Sequence, residues 1–197
     1  MNTPNKLTVA RIIATPIFMA TMIFNFPYHY LISMILFIGA SLTDMIDGKM
    51  ARKYNLVTDF GKFLDPLADK MLTTAAYLGF ICMYAHKPII CLQMTIITFI
   101  VLFREFMVSS VRLVVVSSGG KVIAANMWGK CKTVSQMLGI IFALFIYALK
   151  EFVTIGSALQ NVLDIIICVL FWISAILCIV SGLIYLNGSK EYINSSK

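Results

Sequence analysis

Apolar residues fill most of this chain in six long runs, which short polar segments separate. An α-helix needs about 20 predominantly apolar residues to cross a bilayer, and each run is of that order. The runs cover about residues 7–24, 31–47 and beyond, 88–116, 127–149 and 159–186, and the third run begins between residues 58 and 65 and ends at about 85. This pattern predicts an all-α integral membrane protein with six transmembrane helices, built as a single domain over residues 1–197.

The start of the third predicted helix depends on polar residues rather than on apolar ones. Gly61, Asp65 and Asp69 recur every four residues, which favours one continuous helix that begins between residues 58 and 65. Pro66 would then lie inside this helix and bend it, because proline lacks the N–H that the helix needs.

Composition supports the membrane assignment. Of the 197 residues, 60% are hydrophobic and 13% are charged, whereas ordinary soluble domains carry about 25% charged residues. The mean hydropathy is +0.90. The five cysteines are odd in number and form no C-x-x-C pair, so they predict neither a disulfide framework nor a metal site.

The basic residues are divided unequally between the two ends of the predicted helices. Six spans place both termini on one side, and 14 of the 16 Lys and Arg residues fall on that side. Only Lys87 and Lys150 fall on the other side. Because basic segments remain in the cytoplasm, we expect a multi-pass protein of the cell membrane with both termini cytoplasmic. Attraction to anionic lipid accounts for the net charge of +7, which therefore predicts no nucleic-acid partner.

Four aspartates form two pairs at helical spacing near this cytoplasmic side. Asp44 and Asp47 are three residues apart and Asp65 and Asp69 four apart, so each pair shares one helix face. Like charges at this spacing are unfavourable unless a cation lies between them, and hard oxygen ligands suit Mg²⁺, Mn²⁺ or Ca²⁺. Helix capping is the simpler alternative, and Asp65 before Pro66 fits it. Capping accounts for one or two of these residues but not for two matched pairs.

The aspartates belong to a longer motif. It reads Asp44-x-x-Asp47-Gly48-x-x-Ala51-Arg52, eight further residues, and Gly61-x-x-x-Asp65-x-x-x-Asp69. All eight fixed positions resemble the signature of the CDP-alcohol phosphatidyltransferases, membrane enzymes that make phospholipids from CDP-diacylglycerol or a CDP-alcohol. The resemblance implies that an acceptor hydroxyl attacks the lipid-side phosphorus of the donor and that CMP leaves. It also implies a homodimer.

The resemblance assigns roles to individual residues. Asp44, Asp47, Asp65 and Asp69 would surround two Mg²⁺ or Mn²⁺ ions, and Asp69 would also act as general base on the acceptor hydroxyl. The residues implied in binding CDP-diacylglycerol are Asn5, Thr8, Asp44, Gly48, Ala51, Arg52 and Gly61. For Asn5 helix capping is an equally good explanation, and Arg52 could instead be an interfacial anchor.

Five basic residues in the second half of the chain predict where the acceptor binds. They are Arg104, Arg112, Lys121, Lys130 and Lys132. Such a cluster favours an anionic acceptor, although a lone arginine in an apolar helix can simply extend to the interface. The strings Arg104-Glu105-Phe106-Met107-Val108-Ser109 and Gly129-Lys130-Cys131-Lys132-Thr133 resemble the branch of the family that makes phosphatidylglycerol phosphate. The implied acceptor is sn-glycerol 3-phosphate.

Two other functions remain open from the sequence. The first is the same transfer to another acceptor, such as inositol phosphate or phosphatidylglycerol. The second is transport of a divalent cation through the four aspartates. Transporter sites usually lie near the middle of the membrane, whereas these aspartates are predicted at its cytoplasmic edge.

Overall fold

Six α-helices make up the part of the chain that the computed structural model describes, which is residues 2–53, 59–117 and 127–194. The helices are α1 (Thr3–Ile23), α2 (His29–Lys53), α3 (Asp59–Met83), α4 (Pro88–Ser117), α5 (Met127–Phe152) and α6 (Ser157–Asn194). The predicted all-α fold and the number of helices are confirmed. The third helix begins before Pro66 and continues through it, as the glycine and aspartate spacing predicts.

Five of the six helices are long and apolar enough to cross a membrane; the exception among the described helices is α3. Its first turns carry Asp65, Asp69 and Lys70, and only the residues from Met71 to Met83 are free of charge. The predicted third span is therefore the one described helix that is not apolar enough by its own composition to cross a membrane. Burial inside the bundle compensates, because α3 packs chiefly against α1 and also against α4.

Close packing and aromatic contacts hold α3 in the bundle. A side chain at Gly79 would lie 2.6 Å from the sulfur of Met22 in α1, so glycine permits the close approach of these two helices. On the other side of α3, the rings of Tyr77 and Phe80 lie 5.3 and 5.2 Å from that of Phe171 in α6. These rings are buried, and such pairs contribute beyond the area that they bury.

A buried carboxylate joins three parts of the bundle at one end. Asp164 in α6 is fully buried and its Oδ1 accepts hydrogen bonds from Tyr84 at 3.1 Å, Tyr147 at 2.7 Å and Gln160 at 2.9 Å. Its Oδ2 accepts a hydrogen bond from Lys87 at 2.6 Å. Buried charge is costly unless it is paired, and this cluster supplies the pairing. The cluster contacts Tyr84 and Lys87, which follow the C-terminal end of α3, whereas the charged residues of α3 lie toward its N-terminal end.

Candidate active site

A cavity of about 460 Å³ opens among α2, α3, α4, α5 and α6. Acidic residues of the motif line it together with basic residues of the second half of the chain. They are Asp44, Asp65, Asp69, Arg104, Arg112 and Lys132. The two clusters are far apart in the sequence, and the fold brings members of both to one cavity.

Helix α1 supports the acidic side of the cavity. Arg11, which is only 2% exposed, forms an ion pair with Asp44. The hydroxyl of Thr8 donates a 2.9 Å hydrogen bond to Asp65 Oδ1. Asn5 is buried as well, and its spacing to Thr8 and Arg11 places all three on one face of α1. Through Arg11 and Thr8, the buried face of α1 thus binds two of the motif aspartates, Asp44 and Asp65.

Several predicted donor-site residues are only partly described. Asp47, Gly48, Ala51 and Arg52 belong to α2, but the surroundings of their side chains lie outside the described part of the structure. Gly61 is buried near the start of α3.

The motif aspartates are the candidate ligands for the divalent cations that the resemblance implies. Among the described side chains, no three His, Cys, Asp or Glu residues are gathered closely enough to hold an ion. The side chain of Asp47, the fourth aspartate, falls outside that description. The carboxylates of Asp44, Asp65 and Asp69 line one cavity, and their oxygens are the donors that Mg²⁺ and Mn²⁺ take. The donor chemistry therefore fits these ions.

Glu105 organises the basic side of the cavity. Its carboxylate accepts a hydrogen bond from Lys132 and one of 3.2 Å from Arg104 Nη1. Arg104 also donates from Nη2 to Ser181 at 2.6 Å. Lys70 donates to Ser109 and, at 3.4 Å, to the backbone oxygen of Glu105. These hydrogen bonds connect residues of α3, α4, α5 and α6 around Glu105, whose side chain itself bonds to Arg104 and Lys132.

Two polar atoms at this side are buried without a hydrogen-bond partner in the described structure. They are Arg104 Nε and the hydroxyl oxygen of Tyr185, and both residues line the cavity. Buried polar groups are usually paired, so these two atoms are exceptions that retain unused hydrogen-bonding capacity in residues of the cavity wall. The arrangement is suited to an anion.

The remaining predicted basic residues differ in their position relative to the cavity. Arg112 lines the cavity and is exposed. Lys130 is exposed in the first turn of α5 and is not part of the cavity wall. Lys121 lies outside the described residues.

Sequence reasoning missed several residues that line the cavity. They are Lys70, Glu105, Ser109, Ser181 and Tyr185. A signal existed for α6, because Ser181 and Tyr185 are four residues apart and therefore share one face of a largely apolar helix. Glu105 carries a weaker signal as a lone acid within an apolar helix.

Comparisons with known proteins identify the family. Residues 1–180 match the family model of CDP-alcohol phosphatidyltransferases. The chain is 39% identical to the CDP-diacylglycerol–glycerol-3-phosphate 3-phosphatidyltransferase of Bacillus subtilis, over 99% of this chain and 98% of that protein. It is 39% identical to the Rickettsia bellii protein of the same name, over 97% of each chain. A Haemophilus influenzae protein of that name is 34% identical over 96% of this chain and 94% of its own.

The match covers α1 to α5 and most of α6, and it includes both the acidic and the basic side of the cavity. The motif aspartates and the basic residues of α4 and α5 all fall within residues 1–180. The chain is a member of the CDP-alcohol phosphatidyltransferase family.

Proposed function

We propose that this protein transfers the phosphatidyl group of CDP-diacylglycerol to sn-glycerol 3-phosphate. The oxygen of an acceptor hydroxyl forms a bond to the lipid-side phosphorus of the donor. The bond from that phosphorus to the oxygen shared with the cytidylyl phosphate breaks, and CMP leaves with the electron pair. The hydroxyl proton passes to a base, and the products are phosphatidylglycerol phosphate and CMP.

The observation that carries this proposal is the single cavity that acidic and basic residues line together. Asp44, Asp65 and Asp69 face it from α2 and α3, and Arg104 and Lys132 from α4 and α5. A transfer between two phosphorylated substrates needs both of them in one site at the same time. Holding two reactants in the correct geometry is itself a large part of catalysis.

The basic side suits the acceptor phosphate. A phosphate monoester carries close to two negative charges at neutral pH, because its second pKa is about 6. Arg104, Arg112 and Lys132 provide fixed positive charge, and Arg104 Nε and the Tyr185 hydroxyl are unpaired among the described residues. Lys121 and Lys130 remain candidates at the entrance on the basis of sequence alone. Binding of the phosphate here would position the hydroxyl of glycerol for attack.

The acidic side suits the donor diphosphate together with divalent cations. Asp44, Asp47, Asp65 and Asp69 would hold two Mg²⁺ or Mn²⁺ ions, which when bound neutralise phosphate oxygens and the leaving group. Thr8 and Arg11 orient two of these aspartates from α1. Asp69 would take the proton of the acceptor hydroxyl. We place this site at the cytoplasmic face of the cell membrane and expect a homodimer, as the basic distribution and the family resemblance respectively imply.

An assay with purified protein tests the proposal. The protein in mixed micelles is supplied with CDP-diacylglycerol, Mg²⁺ and radiolabelled glycerol 3-phosphate, and CMP and labelled lipid are quantified. We expect the two products in equal amounts, with glycerol, inositol phosphate and phosphatidylglycerol as poor acceptors. Equal turnover of uncharged glycerol would contradict the acceptor assignment. Cation flux in proteoliposomes without CMP release would contradict the transferase itself.

Charge variants locate the acceptor within that assay. Arg112→Gln and Lys132→Gln should each raise the KM for glycerol 3-phosphate by about tenfold or more, since a charge-assisted hydrogen bond is lost. The KM for CDP-diacylglycerol should change little. Lys190→Gln, an exposed lysine outside the cavity wall near the end of α6, is the matched control. The same KM for glycerol 3-phosphate in all three variants would contradict binding of the acceptor at the basic side of the cavity.

A further inference from the structure

A second cavity, of about 540 Å³, lies at the turn between α1 and α2. Exposed residues of the turn line it together with the buried His29 and with Glu151 near the end of α5. His29 begins α2 and Asp44 lies farther along the same helix, about 22 Å away at 1.5 Å per residue. This cavity is therefore remote from the proposed chemistry.

Both ring nitrogens of His29 face acceptors. Nδ1 lies 3.1 Å from the backbone oxygen of Thr21 in α1, and a carbonyl oxygen only accepts, so Nδ1 carries a proton. Nε2 lies 3.7 Å from Oε1 of Glu151. A neutral imidazole has a single N–H, so its Nε2 lone pair would face a carboxylate. The imidazolium form, with a proton on each nitrogen, is the form that matches both neighbours.

Glu151 also needs a positive partner. Its Oε1 accepts a 3.0 Å hydrogen bond from the backbone N–H of Tyr30, whereas its Oε2 is buried with no hydrogen-bond partner among the described residues. A buried carboxylate is costly unless it is paired with a charge. Within the described part of the chain, His29 is the basic residue at ion-pair distance from it. The neighbouring Lys150 places its ammonium group over the ring of Tyr147 instead.

The turn beside this pair has a strained backbone. Tyr28 has a φ of 62°, in the left-handed region that a tyrosine rarely adopts. Such a conformation persists only where the surroundings hold it. The end of α5 supplies two contacts, because Phe152 stacks on the ring of Tyr28 at 5.1 Å and Glu151 binds Tyr30 and His29. Loss of one contact therefore weakens what holds the turn in place.

We propose that His29 and Glu151 form a proton-dependent connection between the α1–α2 turn and the end of α5. With the proton bound, an imidazolium–carboxylate pair holds the turn against α5. Without the proton, the attraction is lost and the strained turn separates from α5. The cavity gives the proton a route to the solution on this face.

The surroundings of the pair leave the neutral pH range to it. From α1 it meets the backbone oxygen of Thr21. The described titratable groups that face it from the turn, α2 and α5 are Tyr28, Tyr30, Tyr147 and Lys150. Phenol and ammonium groups ordinarily titrate near pH 10. The folded chain thus holds a proton that an unfolded chain releases above about pH 6.5, so the stability should fall as the pH rises.

The pair is also placed to influence the active site. The turn joins α1 and α2, which carry Arg11 and Asp44, to the end of α5, which carries Lys132. Separation of the turn from α5 therefore alters how the acidic and basic sides of the cavity face each other. This regulatory consequence rests on the proposed function.

Nitrogen-15 NMR of the unaltered protein detects the proton directly. The chain contains two histidines, and the exposed His86 serves as an internal reference. At about pH 8, where an ordinary imidazole is neutral, both ring nitrogens of His29 should still carry protons. Glu151→Gln should abolish this difference between the two histidines. A neutral His29 at that pH, or the same spectrum in Glu151→Gln, would overturn the proposal.

Thermal unfolding compares matched variants of the two histidines. Between about pH 6 and about pH 8.5, the apparent unfolding temperature of the unaltered protein should fall by about 3 °C more than that of His29→Gln, because the amide of glutamine does not titrate. His86→Gln should keep the pH dependence of the unaltered protein. Equal pH dependence of the two variants would contradict the proposal.

Proteoliposomes that contain CDP-diacylglycerol test the regulatory consequence. Glycerol 3-phosphate supplied outside reaches only the molecules whose active-site cavity faces outwards, so their His29–Glu151 pair faces the lumen. A rise of the lumen pH from about 6 to about 8.5 at constant outer pH should lower CMP release about threefold in His86→Gln but not in His29→Gln. The same response of both variants would exclude regulation by this pair. Absence of CMP release at every pH would instead contradict the proposed function, while the NMR measurement still tests the proton.

Discussion

The hydroxyl of Thr8 in α1 donates a 2.9 Å hydrogen bond to Oδ1 of Asp65 in α3. Thr8 is 1% exposed, so the contact holds a cavity carboxylate from inside the bundle. A hydrogen bond to a charged group contributes about 1.5–3 kcal/mol. The Thr8–Asp65 contact links the N-terminal helix directly to the motif.

Loss of this contact should affect the donor more than the acceptor. Thr8→Val keeps the shape but removes the hydroxyl, and kcat/KM for CDP-diacylglycerol should fall about tenfold. Thr8→Ser should restore most of the activity. Thr98→Val, at a buried threonine of α4 that bonds only to backbone within its helix, serves as control. Equal effects of the two valine variants would mean that Thr8 matters only for stability.

The aspartates should differ in what they contribute. Asp44→Asn and Asp65→Asn should weaken Mn²⁺ binding, measured by electron paramagnetic resonance, and lower turnover at least about a hundredfold, because electrostatic stabilisation is lost. Asp69→Asn should lower turnover similarly but leave the affinity for CDP-diacylglycerol closer to normal. The same loss of donor affinity in all three variants would argue that Asp69 is chiefly a ligand rather than a base.

A substitution at Gly182 can displace the side chain of Arg104 without altering any charge. A side chain at Gly182 would lie 3.2 Å from Arg104 Cγ and 3.1 Å from Met107 Cε, so Gly182→Ala must displace both. We expect the KM for glycerol 3-phosphate to rise roughly fivefold or more. Gly39→Ala, where nothing lies within 4 Å, is the control. A normal KM for glycerol 3-phosphate in Gly182→Ala would argue that Arg104 does not bind the acceptor.

Glu105 should act by positioning the side chains of Arg104 and Lys132, and not by contact with the substrate. Glu105→Met removes the acceptor of Arg104 and Lys132, so the KM for glycerol 3-phosphate should rise about tenfold. Glu105→Gln keeps an oxygen that accepts and should recover most of the loss. If both variants lost kcat with an unchanged KM, the positioning role would be wrong.

Thiol labelling tests the orientation that the basic residues predict. After replacement of the five native cysteines, Asn194→Cys should be protected from an impermeant reagent in intact cells and His86→Cys should react. Positive segments favour the cytoplasm, which is the reason for this expectation. The reverse labelling would place the cavity on the wrong side for a cytoplasmic acceptor.

The fold was largely predictable because apolar runs of membrane length leave few alternatives. Asp44, Asp65 and Asp69 could also be found, since their spacing implies shared helix faces within a few turns. The role of Glu105 could not, because it depends on Arg104, Lys132 and Lys70 meeting across three helices. Tertiary pairing of this kind leaves no periodic trace. The same limit applies to the merging of the acidic and basic clusters into one cavity.

The buried carboxylate of Asp164 has a consequence for the distant chemistry. It clamps α6 to α5 and to the turn between α3 and α4, about 25 Å along α6 from Ser181. Helices are stiff rods, so a fixed joint at one end sets how far they splay at the other. We therefore expect the width of the cavity between Arg104 and Asp69 to depend in part on this remote joint. Loosening that joint would detune the spacing of the two substrates without touching either of them.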